Sequence, residues 1–269
     1  MSEKTFTIKN DFFNVPVTLD CGQSFRWAEN ENGDWQGIAC GRKLTVHQDG
    51  ESITFIGADE KDYREIWERY FDLGRDYKKI CDGFSGDKML REAVKAYPGI
   101  RILRQEPWEA LCSFIISQNN NIPRIKGIIE RLCALAGEDL GNGDYAFPSP
   151  EKVLELGVEG LAPIRSGFRA KYIIDAARKV SDGTVNFELI DSLPLEEAAE
   201  ELKKIKGVGD KVAACTLLYG FGRADSFPVD VWVKRILAET YPDGMPECTA
   251  GVRGIAQQYL FHYRRTVNP

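Results

Sequence analysis

The sequence predicts an α+β protein, with a small antiparallel sheet at the N-terminus leading into a long helical body. Short apolar runs with strand-like spacing before about residue 57 and helical spacing from about residue 60 onward carry this expectation. Turn signals at Glu31-Asn-Gly-Asp34 and Gln48-Asp-Gly-Glu51 divide the first part into strands.

Taken in order, Phe6 and Ile8, then Val15, Val17 and Leu19, then Phe25 and Trp27, then Leu44 and Val46, then Ile53 and Phe55 mark an antiparallel meander. Ile66, Tyr70 and Phe71 begin the helical pattern, and Met89, Leu90 and Val94 continue it. A helix after Pro107 carries Leu111, Phe114 and Ile115, and one after Ile122 carries Ile125, Ile128, Ile129 and Leu132. Ser149-Pro150 and Leu193-Pro194, each with Glu following, read as further helix starts. Residues 1–95 are expected to form the sheet domain with flanking helices, and 96–269 a two-lobed helical domain.

The 269 residues are 43% hydrophobic, enough for a sizeable core. A net charge of −6 argues against a uniformly basic nucleic-acid binder. The distribution is uneven: acids concentrate in 138–159 and 188–201, whereas basic residues gather at Arg124, Lys126 and Arg131, at Arg165, Arg169 and Lys171, and at 203–211. A local basic face is expected. Seven cysteines without a close pair read as reduced thiols. With no secretory or membrane-length apolar run, the expectation is an intracellular soluble monomer, cytoplasmic beside a bacterial nucleoid or nuclear in a eukaryote.

The richest stretch is 202–221. Apolar spacing at Leu202, Ile205 and Val208, then Val212, Leu217 and Leu218, places a helix on each side of Lys206-Gly-Val-Gly-Asp210. Gly207 and Gly209 permit a sharp turn and close approach, so backbone N–H groups of 206–209 can meet a phosphate at the start of the second helix. Lys211 follows the hairpin, and Asp230 sits in Pro228-Val-Asp230 ahead of another helical run. Taken alone, a glycine turn links helices, Lys211 is a solvated or phosphate-binding lysine, and Asp230 is an N-cap. Together they suit a nucleophile and its partner, because burial and a helix N-terminus favour an uncharged amine. Such an amine can attack C1′ of a deoxyribose, expel the base and leave an imine that permits β-elimination. A fixed carboxylate stabilises the positive charge that develops on the sugar.

Motifs along nearly the whole chain resemble the 8-oxoguanine DNA glycosylase/AP lyase family of the helix-hairpin-helix Gly/Pro-Asp superfamily. They are Cys21-Gly-Gln-Ser-Phe-Arg-Trp27, Ser117-Gln-Asn-Asn-Asn-Ile-Pro-Arg124, Gly167-Phe-Arg-Ala-Lys-Tyr172, Gly207-Val-Gly-Asp-Lys-Val-Ala213, Pro228-Val-Asp230 and Ala256-Gln-Gln-Tyr-Leu-Phe261. The resemblance implies Lys211 as nucleophile and Asp230 as its catalytic partner. It implies a base pocket made by Gly22, Cys215, Pro228, Gln257 and Phe261. The Gly22 carbonyl would accept the N7–H that distinguishes 8-oxoguanine from guanine. Gln257 would pair with the base edge and Phe261 would stack on it. Asn119 and Asn120 would fill the vacated stack, Arg124 and Arg169 would read the opposite base, and Phe168 would wedge the duplex. The hairpin, Lys206, Gly207, Val208 and Gly209, would grip the backbone.

The implied partner is double-stranded DNA carrying 8-oxoguanine opposite cytosine, with no metal or cofactor. Some hairpin glycosylases hold an iron–sulfur cluster on four C-terminal cysteines, but only Cys248 follows Asp230 here. Phe168 stands where many relatives have tyrosine, and Trp232 where eukaryotic members have histidine, which removes one expected phosphate contact. The alternatives are an alkyl-base glycosylase, which needs no lysine, and a non-catalytic hairpin DNA-binding module, which needs neither pocket nor Asp230.

Overall fold

The computed structural model describes residues 4–267. Its first part is a five-stranded antiparallel sheet of β1 (Thr5–Lys9), β2 (Trp27–Glu29), β3 (Trp35–Ala39), β4 (Arg42–Asp49) and β5 (Ser52–Ile56), in spatial order β1-β5-β4-β3-β2. Strands β2 to β5 form the meander, and β1 returns to pair with β5, Thr5 opposite Ile56 and Lys9 opposite Ser52. Both sequence turn signals join neighbouring strands, β2 to β3 and β4 to β5.

Two expectations change. Val15, Val17 and Leu19 lie in a helix, α1 (Val15–Asp20), and not in a strand. Asn14 caps it by accepting from Val17 N, Pro16 occupies its first turn, and the buried residues are Val15, Thr18 and Leu19, which is helical spacing. Strand β3 was not anticipated because Gly37 interrupts it. That glycine faces Trp27 across the ladder, and a Cβ there would lie 2.4 Å from the indole.

Trp27, Phe55, Trp67, Tyr70 and Phe71 dominate a core under the sheet, with the Trp27 indole N–H donating to the Tyr70 hydroxyl at 2.9 Å. The short α2 (Glu60–Asp62) leads into a wider helical turn (Tyr63–Trp67), and Tyr63 and Trp67 of that turn, Tyr70 of α3 (Glu68–Tyr70) and Val15 and Leu19 of α1 pack into this core. Next come α4 (Tyr77–Gly83) and α5 (Lys88–Ala96), then α6 (Pro107–Ser117) and α7 (Ile122–Ala136). A small hairpin of β6 (Asp139–Gly141) and β7 (Asp144–Tyr145) precedes α8 (Pro150–Gly160), α9 (Arg169–Ser181) and α10 (Phe187–Ser192). The remaining helices are α11 (Leu195–Lys203), α12 (Asp210–Tyr219), α13 (Val231–Thr240) and α14 (Arg253–Val267). From α4 onward most buried apolar residues form a second, larger core, while Leu103 packs back into the first. Among the described residues no helix is long and apolar enough to cross a membrane.

One connection couples the two cores. After α1 the chain leaves the sheet, and Cys21 and Phe25 pack into the helical core before β2 begins. Buried Gln23 fixes this loop: its amide donates to the carbonyls of Thr18 (2.9 Å) and Arg101 (2.8 Å) and accepts from Leu103 N (2.8 Å).

Arg26 continues the crossing. Its guanidinium lies 3.7 Å from the Glu109 carboxylate on α6 and donates to the Tyr145 carbonyl. Burial pushes the Glu109 carboxyl up to about 7, against the opposing pull of Arg26. A carboxyl raised from 4.5 binds more protons folded than unfolded between those values, so its contribution makes stability fall as pH rises through that window. Denaturant unfolding from pH 4.5 to 7.5 is expected to show a loss of roughly 3 kcal/mol from this group. Glu109→Gln should flatten that slope; an undiminished slope would contradict the assignment.

Candidate active site

Helices α6 and α12 pack antiparallel. A Cβ on Gly220, at the end of α12, would sit 3.0 Å from Pro107 Cα at the start of α6, and the opposite ends bring Lys211 to Ser117. Lys211 Nζ donates to Ser117 Oγ at 3.0 Å and lies 5.1 Å from the Phe114 ring centroid. Ser117 Oγ in turn donates to the Phe114 carbonyl at 2.8 Å, so its lone pairs face the amine. Phe114 is braced by stacking on Tyr219, centroids 5.1 Å apart, and the Tyr219 hydroxyl reaches Gln258 Oε1 at 2.6 Å. The amine is half-buried on a platform made by two helices.

Asp230 is the N-cap of α13 and accepts from Trp232 N (3.0 Å) and Val233 N (2.8 Å), both through Oδ1. Pro228 is buried behind it, while Val229 and Val231 flank it exposed. Capping employs one carboxylate oxygen and leaves the other free to serve the cleft.

A cleft of about 750 Å³ joins these groups and is lined by Lys211, Asp230, Gly22, Phe261, Asn119 and Asn120, among others. Gly22 has φ +84, and a Cβ there would come within 3.6 Å of both the Phe261 ring and Ile122. Gln258 Nε2 anchors the Cys21 carbonyl (3.2 Å) and Gln105 Nε2 the Gln23 carbonyl (2.7 Å), so the carbonyls on either side of Gly22 are held. Cys215 is buried one helical turn beyond Lys211, and burial pushes its thiol up to about 11 although the lysine charge opposes this. Gln257 is 4% exposed and its Oε1 has no hydrogen-bond partner. A buried orphan acceptor of this kind is destabilising until a ligand donates to it.

Asn119 and Asn120 line the cleft, whereas Cys215, Pro228, Gln257, Arg124, Phe168 and Arg169 are not part of its lining. Of the three asparagines, Asn121 caps α7 through Arg124 N and Asn120 donates to the Ile116 carbonyl, whereas Asn119 projects exposed from a left-handed conformation at φ 47. Arg124 is exposed, as is Phe168, at 51%. Arg169 is only 2% exposed, and its guanidinium donates to the carbonyls of Gln118, Asn119 and Ser166. In this conformation it clamps the Asn119 loop rather than reaching outward.

The hairpin is tighter than the apolar spacing suggests, since α11 ends at Lys203, 204–207 turn, and 208–209 lead directly into α12. Lys206 N–H is taken by Asp175 (2.7 Å) and Val208 N–H by the Ile205 carbonyl (3.0 Å), leaving the Gly207 and Gly209 N–H groups without a partner among the described residues. Ser117, Phe114, Gln23 and Gln258 were not assigned roles from sequence. A polar residue closing the apolar run Phe114-Ile115-Ile116 is the one local signal that singles out Ser117.

A hairpin, a buried-wall pocket and a lysine opposite a capping aspartate define a helix-hairpin-helix DNA glycosylase. Residues 5–111 match the family described as 8-oxoguanine DNA glycosylase, N-terminal domain, and 112–245 the HhH-GPD superfamily base excision DNA repair protein. The chain is 33% identical over 253 residues to the N-glycosylase/DNA lyase of Saccharomyces cerevisiae, covering 83% of this chain and 67% of that protein. It is likewise 33% identical over 211 residues to a probable N-glycosylase/DNA lyase of Methanothermobacter thermautotrophicus, covering 70% and 67%. The Clostridium acetobutylicum 8-oxoguanine glycosylase/lyase, solved with double-stranded DNA containing cytosine opposite 8-oxoG, superposes with a TM-score of 0.93 at 39% identity, covering 100% of this chain and 98% of that one. The chain belongs to the 8-oxoguanine DNA glycosylase family.

Two expected outcomes follow from the geometry. Gly207 has φ +83 and a Cβ there would lie 2.4 Å from the Tyr172 ring, so Gly207→Ala should cost on the order of 1–3 kcal/mol in unfolding and weaken duplex binding. Gly209→Ala meets nothing within 4 Å and should keep stability within about 1 kcal/mol; equal losses in thermal unfolding would refute this. For Asp230, Asn caps as well as Asp, so Asp230→Asn should keep stability to within about 0.5 kcal/mol while Asp230→Ala loses about 1 kcal/mol. Both should lose excision; an active Asp230→Asn enzyme would leave the residue a cap alone.

Proposed function

We propose that this protein excises 8-oxoguanine from duplex DNA and cleaves the resulting abasic strand by β-elimination through a lysine Schiff base. The observation that carries the reading is the Lys211 amine, braced by Phe114 and Ser117 in the cleft that also holds Asp230 and Gly22. An alkyl-base glycosylase would have no use for that amine.

In this reading Nζ of Lys211, once deprotonated, forms a bond to C1′ while the C1′–N9 bond breaks, and the base leaves with the electron pair and takes up a proton. Asp230 stabilises the positive charge spread over C1′ and O4′. Ring opening gives the imine, which acidifies the C2′ proton, and elimination expels the 3′ phosphate. Gly22 tests N7–H, Gln257 Oε1 accepts from the Watson–Crick edge, Phe261 stacks, and Cys215 with Pro228 walls the pocket. Opening a pair leaves an orphan cytosine. Asn119, supported by Asn120, enters the gap, Phe168 wedges the duplex, and exposed Arg124 reads the cytosine acceptors. Arg169 can assist only by exchanging its carbonyl partners, so Arg124 carries the larger share. Lys206, Gly207, Val208 and Gly209 hold the backbone, with the two glycine N–H groups free to do so. The proposal keeps two units, 1–95 and 96–269, with the hairpin at 202–221 in the second and α4 and α5 of the first packed on the helical core.

Single-turnover excision of 8-oxoguanine placed opposite each of the four bases tests this. Cytosine is expected to be preferred, Lys211→Gln to abolish excision, and Arg124→Met to narrow the preference by about tenfold, the worth of one bidentate base contact. Undiminished release by Lys211→Gln would sink the proposal.

A further inference from the structure

Arg265 has no role in the scheme above, yet it lines the same cleft as Lys211 and Asp230. Its guanidinium carbon lies 5.4 Å from the centroid of Phe261, one turn earlier on α14. Nη2 donates to the Asp20 carbonyl at 3.4 Å, a contact between residues 245 positions apart. Nη1 would lie 3.1 Å from a Cβ on Gly22, a point also 3.6 Å from the Phe261 ring. One guanidinium therefore touches both walls of the base pocket, the ring on α14 and the α1–β2 loop that carries Gly22.

The loop has two ties to α14. Gln258 Nε2 holds the Cys21 carbonyl in the buried interior, and Arg265 holds the Asp20 carbonyl at the mouth. Gly22 follows these two carbonyls directly. Without Arg265 the outer part of the loop keeps its α1 contacts and only a long ion pair, Asp20 to Lys126 of α7 at 3.9 Å, so the Gly22 main chain loses its outer fastening to the Phe261 ring. Arginine suits the task because it stays charged at any working pH and its planar group can lie on a ring while donating at its edge.

Resting on the function proposed above, we infer that Arg265 is a positioning residue that fixes the Gly22 main chain relative to the Phe261 ring, the edge and the face that the base would meet. It thereby sets how sharply 8-oxoguanine is told from guanine. The reason lies in the steepness of the test at N7. A carbonyl held at hydrogen-bond distance attracts the N7–H of the lesion and repels the N7 lone pair of guanine, and both effects fade over a few tenths of an ångström. A loosened slot weakens the attraction and the repulsion together, so discrimination suffers at both ends.

Full-length Arg265→Met and Arg265→Lys test this in two assays. Binding is compared in a Lys211→Gln background on duplexes that differ only in 8-oxoguanine or guanine opposite cytosine. Single-turnover base excision is then compared with borohydride trapping on abasic duplex, which presents no base to the slot. Arg265→Met is expected to reduce the lesion preference and the excision rate by about tenfold each, and abasic trapping by less than about threefold. Arg265→Lys, which keeps a charge and a donor, should recover part of the preference. An Arg265→Met protein with parental preference and excision overturns the inference. So does an equal fall in excision and trapping that lysine does not repair, which marks a purely structural role. Failure of the otherwise unaltered protein to trap abasic DNA would overturn the functional reading itself, and this inference with it.

Discussion

The site depends on the antiparallel contact of α6 with α12. Helix α6 is apolar along nearly its whole length and is buried from Trp108 to Ile116, so its position is set by core packing. Its last turn presents Phe114 and Ser117 to the first turn of α12, and the Lys211 amine is held where those two ends meet. The amine thus inherits the rigidity of the core. A lysine on a loop would lose rotamer freedom with each turnover; here much of that ordering is done by folding.

The base pocket is assembled differently, from segments that only the tertiary fold brings together. The α1–β2 loop enters the helical core through Cys21 and Phe25, and α14 closes over it from the far end of the sequence. Buried amides do the fastening: Gln23, Gln105 and Gln258 each hold a main-chain carbonyl of the loop or its surroundings. Such groups are stabilising only when satisfied, which makes the loop conformation specific as well as stable. Gln257, next to Gln258, is the exception. Its Oε1 is buried without a partner, and that local cost suits a group kept ready for a ligand.

Helix existence was legible because apolar periodicity and start signals agree. Pro107, Ile122 with Pro123, Ser149-Pro150 and Leu193-Pro194 all sit at or beside helix starts. Helix α1 reads as a strand in the sequence because Val15, Val17 and Leu19 alternate over too few residues to separate the two periods; the Asn14 cap with Pro16 in the first turn is the local feature that makes it a helix. Strand β3 was missed because Gly37 serves the Trp27 ring and not local propensity. At the site, residue types and spacing point to Lys211 and Asp230 and the family resemblance to Gly22, and one cleft is lined by all three, whereas no local pattern reveals that Ser117 accepts from the lysine or that Arg169 turns inward onto carbonyls. Those features depend on helix pairs distant in sequence.

Reduction of the reacting complex with borohydride, followed by proteolysis and mass mapping of the DNA-linked peptide, tests the central claim most directly. The expected result is a single adduct on Nζ of Lys211, formed with 8-oxoguanine duplex and absent with undamaged duplex. An adduct on any other amine, or base release without any trapped species, would contradict the account.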